Sequence, residues 1–362
     1  MIETTSFQPD WISAPGETIE DLLDEKGWSK AEFAQRIGFT TKHVNELVKG
    51  RASISAATAE RLSRVLGSTP DFWLVRDAQY QAALEGRRAI EAAKQDAGWL
   101  DELPLRWMRK EGWVETFRNK GAQVLECCRF FGVVGVDAWR AKYEAPLTAF
   151  RASEKFEKKI GAVAAWLREG ERRATEMRCR PYNAQRFKAA LKEFRAMTNE
   201  TDPDVFVPKL LEDCAACGVA VVFASAPTGC PASGATRWLA TDRAMLLLSL
   251  HHRSNDHLWF TFFHEAGHLL LHGKRMMFIE GFDGLDGDQE EEANQFARDL
   301  LIPPPAAKRL TKLSACRLSK EEVRAFAQEV GVAPGIVVGR LQRDRLLPWS
   351  HMNDLKVRYS LS

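Results

Sequence analysis

Residues His264-Glu265-Ala266-Gly267-His268 form the pattern H-E-x-x-H inside an otherwise apolar stretch, and no other feature constrains this protein as strongly. Leu258, Trp259, Phe260, Phe262, Phe263, Leu269, Leu270 and Leu271 make the predicted helix 257–272 apolar nearly all round. A polar triplet buried in such a helix needs partners, because burying a polar group without one is unfavourable. The i, i+4 spacing puts both imidazoles on one face, a turn apart, where they can act as two ligands of a Zn²⁺ ion. Glu265 lies beside them, placed to take a proton from a water that the metal polarises. Chance is expected to produce the pattern roughly 0.01 times per sequence of this length and composition.

A catalytic zinc takes three protein ligands and a water. Lys274 stands where a longer histidine pattern would need its third member. His272, one turn past His268 and just before the expected C-cap Gly273, reads as a supporting residue, since a straight helix cannot wrap three ligands round one ion. The third ligand is sought in Glu290-Glu291-Glu292, which opens the next helix. Ala293, Phe296, Ala297, Leu300 and Leu301 are that helix's predicted buried stripe. Glu292, at the stripe's edge and one turn before Phe296, is the expected ligand. Glu290 and Glu291 are expected in the solvated first turn, which the helix dipole favours for acids. Arg237, His351 and Tyr359 are candidates for the group that stabilises an oxyanion.

Upstream, 205–217 reads as a helix, and 219–223, 237–240 and 245–250 read as short β-rich runs separated by turn residues. This is an α+β layout with strands just before the long helix. The stretch from His264 to His272, followed by Glu292-Ala293-Asn294-Gln295-Phe296-Ala297 and Leu300-Leu301-Ile302-Pro303, resembles the ImmA/IrrE family of metallopeptidases over about 200–345. The resemblance implies a zincin-like fold, zinc held by His264, His268 and Glu292, Glu265 as general base, and helix-turn-helix repressors as substrates. The tail pattern continues with a capping box, Ser319 to Glu322, and a helix stop at Gly331 before Pro334.

The N-terminal part has a different signature. Ser29, Ser55 and Thr69-Pro70 stand where helices should start, giving five short helices within 17–85. Between 30 and 49, Ala34 allows two helices to approach and Gly38 supplies a left-handed turn. Phe33, Ile37, Val44 and Leu47 fix the second helix on the first. Thr40 then caps a recognition helix, with Thr41, Lys42 and Asn45 turned toward base edges, while Lys49 and Arg51 lie near phosphates of double-stranded DNA. Eight basic residues oppose three acidic ones in 26–64, although the net charge of the whole protein is only +2. Together with Gly50-Arg51-Ala52-Ser53-Ile54, Ala59-Glu60-Arg61-Leu62 and Pro70-Asp71-Phe72-Trp73-Leu74, this stretch resembles XRE-type helix-turn-helix proteins and, more narrowly, HigA-like antitoxins. Proteins of this layout read paired half-sites, so a homodimer is expected.

The expected organisation is an all-α helix-turn-helix domain at 10–85, a helical connecting region at 86–199, a metallopeptidase domain at 200–345 and a tail at 346–362. With 362 residues the protein exceeds what one core usually serves. A second basic stretch, 155–195, reads as a solvated helix face. Neither a signal peptide nor a run of 18 apolar residues is present, which points to a cytoplasmic protein without membrane contact. Seven scattered cysteines read as reduced thiols, and Cys214 and Cys217 as buried helix residues rather than a redox pair. The competing functional expectation is a non-proteolytic, antitoxin-like regulator whose zinc domain senses metal or holds a partner.

Overall fold

The computed structural model describes residues 13–145, 160–249, 254–273, 278–279, 287–314 and 318–360. Lys155 at the start of the second basic stretch, the predicted strand end Leu250, and Lys274 lie outside the described residues. The fold is α+β and divides into two units. One takes the sequence up to Gln95 together with Asn119–Ala122, and the other takes Asp96–Arg118 and everything from Gln123 onward.

The first unit is all helical: α1 (Pro15–Lys26), α2 (Lys30–Ile37), α3 (Thr41–Val48), α4 (Ala56–Leu66) and α5 (Pro70–Ala93). Each of α2 to α5 starts on a capping oxygen. Ser29, Thr40, Ser55 and Thr69 accept from the backbone N–H of Glu32, His43, Thr58 and Phe72 at 3.1 to 3.2 Å, which satisfies donors a helix start leaves open. Gly38 ends α2 in the left-handed region, at φ 71°. Phe33, Ile37, Val44 and Leu47 close a core with Ile19, Leu62 and Trp73. The α1–α3 approach is so close that a Cβ on Gly16 would fall 1.7 Å from the Val48 carbonyl oxygen. Gly86 lies inside α5 without ending it, since one glycine costs a long helix only about 1 kcal/mol. Asp77 is buried on α5, where its carboxylate accepts from the Ile54 N–H at 3.1 Å.

The second unit contains α6 (Leu105–Lys110), most of α7 (Lys120–Phe131), α8 (Val136–Trp139), α9 (Ile160–Glu176), α10 (Ala184–Met197) and α11 (Pro203–Ala216). Then come β1 (Val219–Ala224), β2 (Gly234–Ala240), β3 (Arg243–Ser249), α12 (Asn255–Leu271) and β4 (Phe278–Ile279). Four further helices close it: α13 (Gly287–Leu301), α14 (Pro304–Ser314), α15 (Lys320–Val330) and α16 (Pro334–Arg343). The sheet order is β1-β3-β2-β4. β1 runs parallel to β3, and β2 runs antiparallel to both β3 and β4.

β3 reads as a continuous apolar run because both of its faces are covered. Leu247 packs against Gly170 of α9, while Leu246 and Leu248 join the core formed with Trp259, Phe262 and Phe263 of α12. The segment expected to connect the two ends thus supplies one face of the sheet. Trp166 of α9 donates from Nε1 to the Ala224 carbonyl at 3.0 Å, and Arg195 of α10 donates from Nε to the Leu301 carbonyl at 3.1 Å. The tail enters the core as well: Tyr359 is buried and its hydroxyl accepts from Trp259 Nε1 at 3.1 Å. Ser319 and Glu322 form the capping box of α15, and Gly331 ends it at φ 80°. Cys214 and Cys217 are buried free thiols.

Candidate metal centre

α12 carries its polar triplet in the middle of the core: His264, Glu265 and His268 are all buried. Helical spacing brings the two imidazole Nε2 atoms to 3.0 Å from each other. A carboxylate closes the triangle, and it belongs to Glu290. One oxygen of Glu290 lies 3.3 Å from His264 Nε2 and the other lies 3.3 Å from His268 Nε2. With bonds of ~2.0–2.1 Å to nitrogen and oxygen, a tetrahedral ion needs donors roughly 3.3 Å apart. The donors fit zinc in type and spacing, and they form the one group of three metal-binding side chains within reach of a common ion among the described residues.

Glu292, the expected ligand, is placed elsewhere: its carboxylate lies 3.1 Å from His272 Nε2, and its side chain is 65% exposed. Helix phase is the reason. The fully buried positions of α13 are Ala293, Ala297 and Leu301, so the residue that shares their face one turn earlier is Glu290, three before Ala293. Glu292 lies about 100° away from that stripe. Phe296, which suggested the other phase, is only partly buried. Buried alanines at i and i+4 could have shown the correct face.

Two glycines make room for the site. A Cβ on Gly267 would lie 3.1 Å from the Phe296 ring and 3.3 Å from Ala293 Cα, so this glycine lets α13 approach closely enough for Glu290 to reach the imidazoles. A Cβ on Gly234, at the start of β2, would lie 2.6 Å from both Glu265 Oε1 and Thr261 Cγ2. Gly234 therefore keeps open the space beside the Glu265 carboxylate.

His272 joins the site from outside. Its Nδ1 lies 2.9 Å from His268 Nδ1, and its Nε2 meets Glu292. This relay fixes the ring that presents Nε2 to the centre, as outer partners of metal-binding histidines do. Burial pushes His268 below its ordinary pKa by more than Glu290 raises it, with His264 and His272 acting in the same direction as burial. A neutral imidazole is the form that binds a metal. Burial alone would push the Glu290 carboxyl up, but hydrogen bonds from His264 and His268 outweigh it and hold the group at about 2.

The three oxyanion candidates are not brought to this centre. Tyr359 donates to the Glu200 carbonyl at 3.2 Å, Arg237 pairs with Glu171, and His351 bonds Ser350 at 3.2 Å in the exposed tail. In the first unit, Thr40, Thr41, Lys42, Lys49 and Arg51 are exposed and Asn45 is half-buried. Thr40 acts as the N-cap of α3, which leaves Thr41, Lys42 and Asn45 on the first turns of that helix.

A helix-turn-helix unit and a buried H-E-x-x-H cluster whose donors could hold a metal ion together define a regulator with a DNA-binding fold and a metallopeptidase-type domain. The protein belongs to the helix-turn-helix family, whose model matches residues 19–73, and its residues 217–342 match the family model described as the IrrE N-terminal-like domain, Peptidase_M78. It is 37% identical over 80 residues to the uncharacterized HTH-type transcriptional regulator YddM of Escherichia coli, a match that covers 22% of this sequence and 84% of that protein. It is 31% identical over 81 residues to virulence-associated protein A' of Dichelobacter nodosus, covering 22% and 70% of the two sequences. Among solved structures, it is similar to an addiction module antidote protein of a HigA family from Coxiella burnetii, at 28% identity and a TM-score of 0.21, covering 23% of this protein and 91% of that one. Among the described residues, no helix is long and apolar enough to cross a membrane.

Proposed function

We propose that the protein is a cytoplasmic, DNA-binding zinc endopeptidase that cleaves a regulatory protein, with a helix-turn-helix repressor as the substrate class that the ImmA/IrrE resemblance implies. The observation that carries this reading is the convergence of His264, His268 and Glu290 at the separations a tetrahedral ion requires, beside the buried carboxylate of Glu265. In this assignment Glu290 takes the ligand role that the resemblance gave to Glu292, and Glu292 holds His272. A bound zinc supplies Lewis acidity toward water and the substrate carbonyl near neutral pH.

Glu265 supplies the proton chemistry. Its carboxylate takes a proton from the water whose oxygen bonds to the scissile carbonyl carbon, then returns it to the amide nitrogen as the C–N bond breaks, leaving a carboxylic acid and an amine. The apolar packing of α12 keeps that carboxylate away from bulk water. His272 and Glu292 hold the His268 ring in place throughout.

The first unit would bring this activity to an operator or to a protein bound there. Thr40, Thr41, Lys42 and Asn45 are assigned to the base-reading end of α3, and Lys49 and Arg51 to phosphates, in a homodimer that spans two half-sites. Arg51→Ala is expected to weaken binding evenly across sequences and to reduce the salt slope by about one.

The test of the hydrolytic half is to incubate zinc-loaded wild type and Glu265→Gln with purified helix-turn-helix proteins of the same host and to map fragments by mass spectrometry. Defined fragments from wild type and none from Glu265→Gln, at equal zinc content, are expected. Equal cleavage by both removes the peptidase reading and leaves a zinc-containing regulator.

A further inference from the structure

α12 continues the face of the metal centre toward its own N-terminus. His257, Phe260 and Thr261 stand at the i, i+3 and i+4 positions that lead to His264 and His268, so all five share one stripe. α13 does the same in the opposite direction, with Arg298 and Leu301 eight and eleven residues after Glu290. Between these two continuations and α16 lies a cavity of about 110 Å³, several times what a single water needs. Phe260 is its wall toward the metal centre, since its ring stacks on His264 at 6.2 Å between centroids and 28° between planes.

The lining has two characters. Leu301, Ile302, Ile336 and Trp349 join Phe260 on the apolar side, while Arg298, Arg340 and Arg343 bring three guanidinium groups. Asp256 is the one acid among the lining residues, and it is engaged by Lys356 at 2.7 Å. Two of the arginines are incompletely used. Arg340 gives Nε to Asp344 at 2.6 Å, yet one of its terminal nitrogens is buried without a partner among the described residues. Arg298 gives a terminal nitrogen to Glu291 at 2.7 Å, while its buried Nε has none among them. Buried donors left unpaired are costly, and a planar guanidinium matches a carboxylate in geometry as well as charge.

We propose that this cavity is the specificity pocket of the metal centre and takes a peptide carboxylate carried next to an apolar side chain, the carboxylate on Arg298 and Arg340 and the apolar group against Phe260 and Trp349. The proposal rests on the peptidase reading and narrows it, selecting substrates with an acidic group beside a large apolar residue. The carboxylate comes either from an Asp or Glu residue or from the free C-terminus of a peptide, and the same chemistry recognises both.

The test uses the full-length, zinc-loaded protein carrying Glu265→Gln, so that binding is read without turnover. Calorimetry compares acetyl-Phe-Asp-amide, acetyl-Phe-Asn with a free C-terminus, and acetyl-Phe-Asn-amide. A carboxylate probe is expected to bind at least about tenfold more tightly than the neutral amide. The first probe reports a side-chain acid and the second a terminal one. That preference should disappear in Arg340→Gln and in Arg298→Gln at unchanged zinc content and melting temperature. If either variant melts early, Arg343→Gln at the rim replaces it and should lower the preference by severalfold. Equal binding of all three probes, or a preference unchanged in the arginine variants, overturns the proposal. Cleavage by Glu265→Gln at the wild-type rate would instead remove the peptidase reading and leave this binding result standing.

Discussion

The unit built from α1 to α5 and the helical pair α12–α13 treat polar side chains in opposite ways. In the first, serine and threonine oxygens sit at helix starts, the basic groups face outward, and the interior is an apolar cluster around Phe33, Leu62 and Trp73. In the second, two histidines and a glutamate are sunk into the middle of an apolar helix. A helix of the first kind is stable by itself once packed. One of the second kind buries groups that a metal ion can partner, so a bound ion would add to its stability.

Metal removal should separate the two most sharply. At free zinc a thousandfold above its Kd, the ion contributes about 4 kcal/mol to the unit that binds it. A chelator should therefore lower the melting of the second unit by several degrees and leave that of the first unchanged, as followed by hydrogen exchange of α3 and α12. Equal protection loss in both helices would break the contrast. The reverse perturbation is Leu62→Ala, which removes a fully buried side chain from the first unit. It should cost about 3 kcal/mol there and leave zinc content at wild-type level. The smallest effect is expected for Ser55→Ala, which removes the cap of α4 and should cost about 1 kcal/mol, read as a shift in denaturant midpoint with no change in metal or peptide binding.

The same contrast decides what the amino-acid order reveals. The caps at Ser29, Thr40, Ser55 and Thr69, and the α12 triplet itself, are local signals: each depends on residues within four positions of one another. They are legible without knowing what packs on what. The carboxylate that α13 brings to the centre is different, because three successive glutamates differ only in helix phase, and phase is settled by which positions of that helix the core buries. Phe296 argued for one phase by its size, whereas the buried alanines at 293 and 297 set the other. The roles of α9, α10 and Tyr359 were hidden for a similar reason. Their partners, Ala224, Leu301 and Trp259, lie 58 to 106 residues away in the sequence, and no periodicity encodes such pairs.

The central claim is that Glu290, not its neighbour two residues on, completes the metal centre with His264 and His268. Metal analysis and zinc competition titration of Glu290→Ala and Glu292→Ala test it directly. Glu290→Ala should purify with little zinc and bind it more than about a hundredfold more weakly than wild type. Glu292→Ala should keep about one ion per molecule, with affinity lowered roughly tenfold through the loosened His272. Full occupancy in Glu290→Ala together with an empty Glu292→Ala would contradict the account.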